Sequence, residues 1–335
     1  MPKTTTAQPA AAGSLAVLDS AAVAYGTARS LAGPAAGALP PRIVAADDLL
    51  AANALLGAAA SAGQVIGPLA ASAALALSGF PAAFILDAAS YLIGAAVVAP
   101  LPLRPPGSTE SPQHSNWFGE LSAGIVLVAR RRGLRLVVMM RTAVTFTSAA
   151  FLVVEPLYAR HVLHRPPSQF ALFEAAAGTG SILAGLAISR IRGRLAGDKI
   201  LSVSAGCYGL AACLFIGTTS WPVAYTGAFV WGVSGALFGT IALTTLQRIT
   251  PMHAHGRVLG LTATVQSWVE TIGLPVGGVT LAALGTRTGA LALAGVAVIA
   301  GVACLGSVTA HPVQPPRDRA SEISPAGQSR AKSRG

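Results

Sequence analysis

Stretches of about 20 predominantly apolar residues recur along this chain, separated by short segments rich in Pro, Gly and Arg. A helix needs about 20 such residues to cross a hydrocarbon core, and in lipid only helices and closed barrels satisfy their own backbone. Uninterrupted runs of this length fit helices. Nine spans are predicted, at 14–39, 53–77, 80–101, 135–159, 169–189, 200–219, 222–246, 258–284 and 288–309. Proline and glycine mark the cuts: Pro40-Pro41, Ser78 to Pro81, Pro102 to Pro112, Pro166-Pro167, Trp221-Pro222 and Pro251 all fall in predicted connections.

Composition excludes the soluble alternatives. Only 10% of the residues are charged, against roughly 25% in a globular domain, and 53% are hydrophobic with a mean hydropathy of +0.62. Small residues in such excess suit helices that approach closely in lipid. The net charge of +11 would suggest nucleic acid on a soluble chain, but no aromatic residues are interleaved with the basic clusters. Cytoplasmic loops of membrane proteins collect Lys and Arg, so no nucleic-acid partner is expected. Cys207, Cys213 and Cys304 sit in apolar runs without CxxC spacing and read as small buried hydrophobes. His253 and His255 flank Ala254 as a lone pair, too few ligands for a metal. No cofactor or metal is expected.

The basic residues set an orientation. With the loop after the first span facing inward, 17 of them fall on the inner side, and only Arg160, Arg165 and Arg287 fall in outer loops. This split places the C-terminus in the cytoplasm of a multi-pass cell-membrane protein. The longest connection divides the chain into regions. These are a loose extension 1–13, a partial three-helix bundle 14–101, a cytoplasmic linker 102–134, a six-helix bundle 135–309 and a basic disordered tail 310–335. Within the linker, Trp117, Leu121, Ile125 and Val128 recur at helical spacing beside Arg130-Arg131-Arg132. That pattern predicts a short interfacial helix, with an early start of the fourth span as the alternative.

Two motifs lie in the first two spans. Arg29 is followed by Gly33 and Gly37 as RxxxGxxxG, where the glycines allow a neighbouring helix to approach. Gly63, Gly67, Pro68, Ala71 and Ser72 form GxxxGPxxAS. Its Gly-Pro step removes a backbone donor and kinks the helix. Together the two segments resemble the fourth-helix motif and the fifth-helix antiporter motif of the major facilitator superfamily of secondary transporters. Ala71-Ser72 stand where that family has Gly-Gly. The resemblance extends to its drug- and siderophore-exporting branch through PRIVAADDLLAAN at 41–53, Asp87 to Tyr91, the loop Arg190 to Arg194, and Thr250-Pro251 through Gly256 to Gly260. It covers nearly all of residues 20–309.

The resemblance implies an all-α polytopic membrane bundle of the major-facilitator type, here with about nine helices, three plus six. The family has twelve, and aligning the motifs makes the first span here the family's fourth helix, so three helices would be lacking at the N-terminus. The implied activity is secondary active transport: efflux of small amphipathic molecules by alternating access, coupled to protons. The alternatives are a nonfunctional remnant, a start assigned too far downstream, or a membrane scaffold subunit. No nucleophile spacing supports an enzyme.

Five carboxylates fall within predicted spans: Asp19, Asp87, Glu155, Glu174 and Glu270. Intramembrane acids are costly unless compensated, which marks them as functional candidates. Ranked by depth, Glu270 comes first as a proton-coupling group, with Asp87 and the counter-charge Arg29 behind it. The bland reading pairs Glu270 with Gln266 and makes Asp87 a local helix-start carboxylate.

Overall fold

The computed structural model describes residues 20, 23–28, 32–33, 35–45, 47–101, 117–164, 167–191, 198–251 and 254–310. Asp19, Arg29, the extension 1–13 and the tail beyond 310 lie outside the described residues. Among the described residues the regular structure is all helical. After helical stretches at 23–28 and 35–38 and a turn at Pro40–Ile43 come eight helices. They are α1 (Leu49–Val98), α2 (Trp117–Arg130), α3 (Arg132–His161), α4 (Pro167–Ser189), α5 (Asp198–Gly217), α6 (Trp221–Ile249), α7 (His255–Leu284) and α8 (Thr286–Ala310).

Seven stretches among the described residues are long and apolar enough to cross a membrane, and Thr286–Ala300 is a shorter apolar helix. The predicted spans 53–77 and 80–101 fall on the two helical stretches of α1, which is broken by a kink at Gly79. That residue has φ 76° and ψ −171°, a conformation essentially reserved for glycine. A second bend separates α2 from α3, where Arg131 is extended between the two helices.

The helices alternate in direction, so the starts of α3, α5 and α7 meet the ends of α4 and α6. Leu134, Leu201 and Val258 share one core cluster there with Ile188 and Leu246. Arg132, Arg135, Arg190, Arg248 and Arg257 ring this end of the bundle. A second cluster, including Phe151, Phe173, Phe215 and Ala294, fills the opposite half. Leu50 and Ala54 bring α1 into the first cluster, and among the described residues no α1 side chain belongs to the second. The chain's first part is therefore joined to the last six helices at the arginine-rich end.

Lipid is as apolar as a leucine side chain, so association in a membrane rests on close contact and interhelical hydrogen bonds. Glycine supplies the contact. A methyl group on Gly232 of α6 would collide with the Ala177 carbonyl of α4, and one on Gly180 of α4 with the Phe229 carbonyl. Gly273 and Gly277 seat α7 in the same way against Ala149 and Ala150 of α3. The motif glycines Gly33, Gly63 and Gly67 instead have open space at the Cβ position.

Candidate functional site

Beyond Ala58, no described side chain of α1 is buried. A cavity of about 630 Å³ lies between α1, α4, α5 and α6. Val65 and Leu69 form its α1 wall together with Ser61 and Gln64. Across from them stand Ala175, Ala177 and Ser181 of α4, Tyr208 of α5, and Trp231, Gly232 and Gly235 of α6. Small residues on this wall let the neighbours close in: a methyl on Gly178 would strike the Val65 side chain, and one on Gly232 the Ala177 carbonyl.

The aromatic part of the wall is rigid. Trp231 stacks on Phe151 at 5.9 Å between ring centroids and packs against Tyr208 at 5.3 Å. The Tyr208 and Ser148 hydroxyls share a 2.6 Å hydrogen bond that fixes the tyrosine from α3. Behind this layer Phe173 stacks on Tyr225 at 4.2 Å and tilts against Phe215.

Glu174 is the one ionisable side chain on the wall apart from the Tyr208 phenol. It faces the carboxyl of Glu155, which is buried in α3 and lies within hydrogen-bonding reach. A position two turns into α4 and one in the last two turns of α3 thus place two acids together. Pro156 follows directly and has no backbone N–H to give its helix.

Elsewhere the structure separates the residues singled out from the sequence. Glu270 on α7 and Asp87 on the outer part of α1 are exposed, and neither is among the residues that line the cavity. Gln266 does not serve Glu270 in the way its spacing suggests: its Oε1 accepts from Arg141 at 3.2 Å and its Nε2 donates to Thr145 at 3.3 Å. Pro68, Ala71 and Ser72 are helical in α1, and their side chains lie outside the described set. Gly37 has an unforeseen role, because its carbonyl accepts a 2.8 Å hydrogen bond from Gln247. The depth ranking had placed Glu155 and Glu174 behind Glu270. Depth along a helix says nothing about what stands opposite.

The comparisons with known proteins bear on the whole architecture. The sequence profile described as Major Facilitator Superfamily matches residues 7–269 and 136–333. Among solved structures, the chain is similar to a crystal structure of a bacterial homologue of the iron transporter ferroportin in an outward-facing state. That similarity has a TM-score of 0.65 at 16% identity, covering 84% of this chain and 69% of the other. The search of curated proteins finds no match. Apolar spanning helices, the bundle they form and a profile match over most of the residues converge on one conclusion: the chain belongs to the major facilitator superfamily, and it is a membrane-embedded secondary transporter rather than an enzyme.

Proposed function

We propose that this chain exports small amphipathic molecules across the cell membrane in exchange for protons, with its C-terminus in the cytoplasm and its cavity exposed to each side in turn. The observation that carries this reading is the lining of the cavity. Its walls are apolar and aromatic, and their one carboxylate, Glu174, is backed by a second at Glu155. Two carboxylates in contact repel strongly, and sharing a single proton relieves that repulsion. A cargo with an apolar body and a positively charged head suits such a wall. The body packs on Val65, Leu69 and Trp231, and the head replaces the shared proton at Glu174. The proton then leaves to water in the cavity. Cargo and proton compete for one site, which is the requirement for exchange.

In this reading the coupling role expected of Glu270 and Asp87 passes to Glu174. The orientation rests on the 17-to-3 division of basic residues. Similarity to the ferroportin homologue supports the fold and carries no argument about cargo. The test is accumulation of ethidium, a lipophilic organic cation, in efflux-deficient cells expressing the full chain. Lower accumulation that a protonophore abolishes is the expected result. Accumulation equal to that of empty cells, with the chain present in the membrane, contradicts it.

A further inference from the structure

The join between the first part of the chain and the last six helices contains more than apolar packing. Asn53 lies about one turn into α1, fully within the protein. Its Nδ2 donates to Thr244 Oγ1 at 2.9 Å and to Gln247 Oε1 at 2.6 Å, both in the last two turns of α6. Gln247 then donates from Nε2 to the Gly37 carbonyl at 2.8 Å. Its own carbonyl pairs with His255 Nε2 at 2.8 Å, which ties the start of α7 to the same point. Asn53, Thr244, Gln247 and His255 are all buried. Gln247, through its side-chain amide and its backbone carbonyl, therefore gathers three separate segments at the arginine-rich end.

The position of this cluster gives it a consequence. Ser61 of the cavity wall lies two turns further along α1, so the cluster stands between the cavity and the arginine-rich end. Leu50 and Ala54 are fully buried at the same level, where α1 packs tightly on α4: a methyl on Gly185 would strike the Ala54 carbonyl. The cluster contains no ion pair, so breaking it strands no charge in a low dielectric. Asn53 Oδ1 is buried with no hydrogen-bond partner. Water entering on opening would satisfy it, which offsets part of the bonds lost. Such a contact holds firmly enough to close and is cheap enough to open.

We propose that Asn53, Thr244 and Gln247 form an uncharged latch that shuts the arginine-rich end while the cavity is accessible from the other, and that it breaks once in every transport cycle. This rests on the alternating-access reading above.

The test uses the full chain with Cys207, Cys213 and Cys304 replaced by alanine and Ser61→Cys as reporter. A membrane-impermeant maleimide is added from either face of oriented vesicles. With the latch intact, labelling comes mainly from the face opposite the arginine-rich end. Asn53→Leu and Gln247→Met accelerate labelling from the arginine-rich face about tenfold, equivalent to ~1.4 kcal/mol. Thr244→Val gives a smaller gain of about threefold, since Asn53 keeps its bond to Gln247 and single interhelical bonds in lipid are weak. Unchanged labelling in all three variants, each eluting as a monodisperse protein, overturns the latch. Shifted labelling in a chain that never moves ethidium keeps the latch and removes the carrier reading. Ethidium export with labelling indifferent to the three substitutions does the reverse.

Discussion

The carboxyl of Glu155, buried in α3, faces that of Glu174 in α4 at the wall of the cavity, within hydrogen-bonding reach. Eighteen residues of chain and a change of helix lie between them. Their meeting depends on how α3 and α4 are rotated about their axes, and the aromatic layer around Phe151, Phe173 and Trp231 fixes that rotation. An exchange site needs a group that is stable both with a proton and with a cation. An acid pair in an apolar wall has that property, because each occupant relieves the same repulsion.

Close contact between α4 and α6 is held by Gly232 and Gly180. Gly232→Ala should destabilise the folded chain by about 1–3 kcal/mol through overpacking against the Ala177 backbone. Gly67→Ala, on an open face, should stay within about 0.5 kcal/mol of the parent. Thermal unfolding in detergent, followed by loss of monodispersity, reads both. Equal midpoints for the two variants would show that the α4–α6 contact is looser than described.

Arg141 is held by Gln266, and its Nε is buried without a hydrogen-bond partner. Removing the partner of a buried charge is worse than removing the charge itself. Gln266→Leu should therefore cost about 1–3 kcal/mol of stability, while Arg141→Met should cost less or even stabilise. Denaturation of the purified variants in mixed micelles gives the order directly. A larger loss for Arg141→Met would point to an ion pair that this packing does not contain.

The Tyr158 hydroxyl donates to the Thr218 carbonyl just past the end of α5, in the half of the bundle opposite the arginines. Tyr158→Phe keeps the ring against Phe215 and removes one hydrogen bond, a loss of about 1 kcal/mol. The expected readout is a small drop in thermal midpoint with ethidium export unchanged. Loss of export at unchanged stability would give this tyrosine a part in transport that its position does not suggest.

The membrane architecture was legible because lipid imposes a length. Runs such as 135–159 and 222–246 announce spanning helices before any packing is known, and α3 and α6 fall on them. Gly79 and Pro81 mark a break between spans in the sequence, and the structure breaks the helix there, with Gly79 in a non-helical conformation between two helical stretches. The acids were visible as a set but not as a pair. Glu270 ranked first by depth, yet α7 is buried only at its two ends, from His255 to Thr262 and from Gly273 to Leu281. Between those ends α7 has no fully buried residue, and Glu270 is exposed there. Asn53 is legible only as the last residue of the 41–53 segment and Gln247 not at all, because neither carries a charge. In an apolar helix, however, a neutral amide also needs a partner, and that was the signal available in the sequence.

The central claim, that Glu174 exchanges a proton for cargo, is tested most directly by proton movement in proteoliposomes. The full chain is reconstituted with an imposed pH gradient, and ethidium is added. The account predicts that ethidium accelerates collapse of the gradient, that Glu174→Gln slows this at least about tenfold, equivalent to ~1.4 kcal/mol of lost coupling, and that Glu270→Gln leaves it unchanged. Ethidium-driven proton movement that persists at the parent rate in Glu174→Gln, or that disappears in Glu270→Gln, contradicts it.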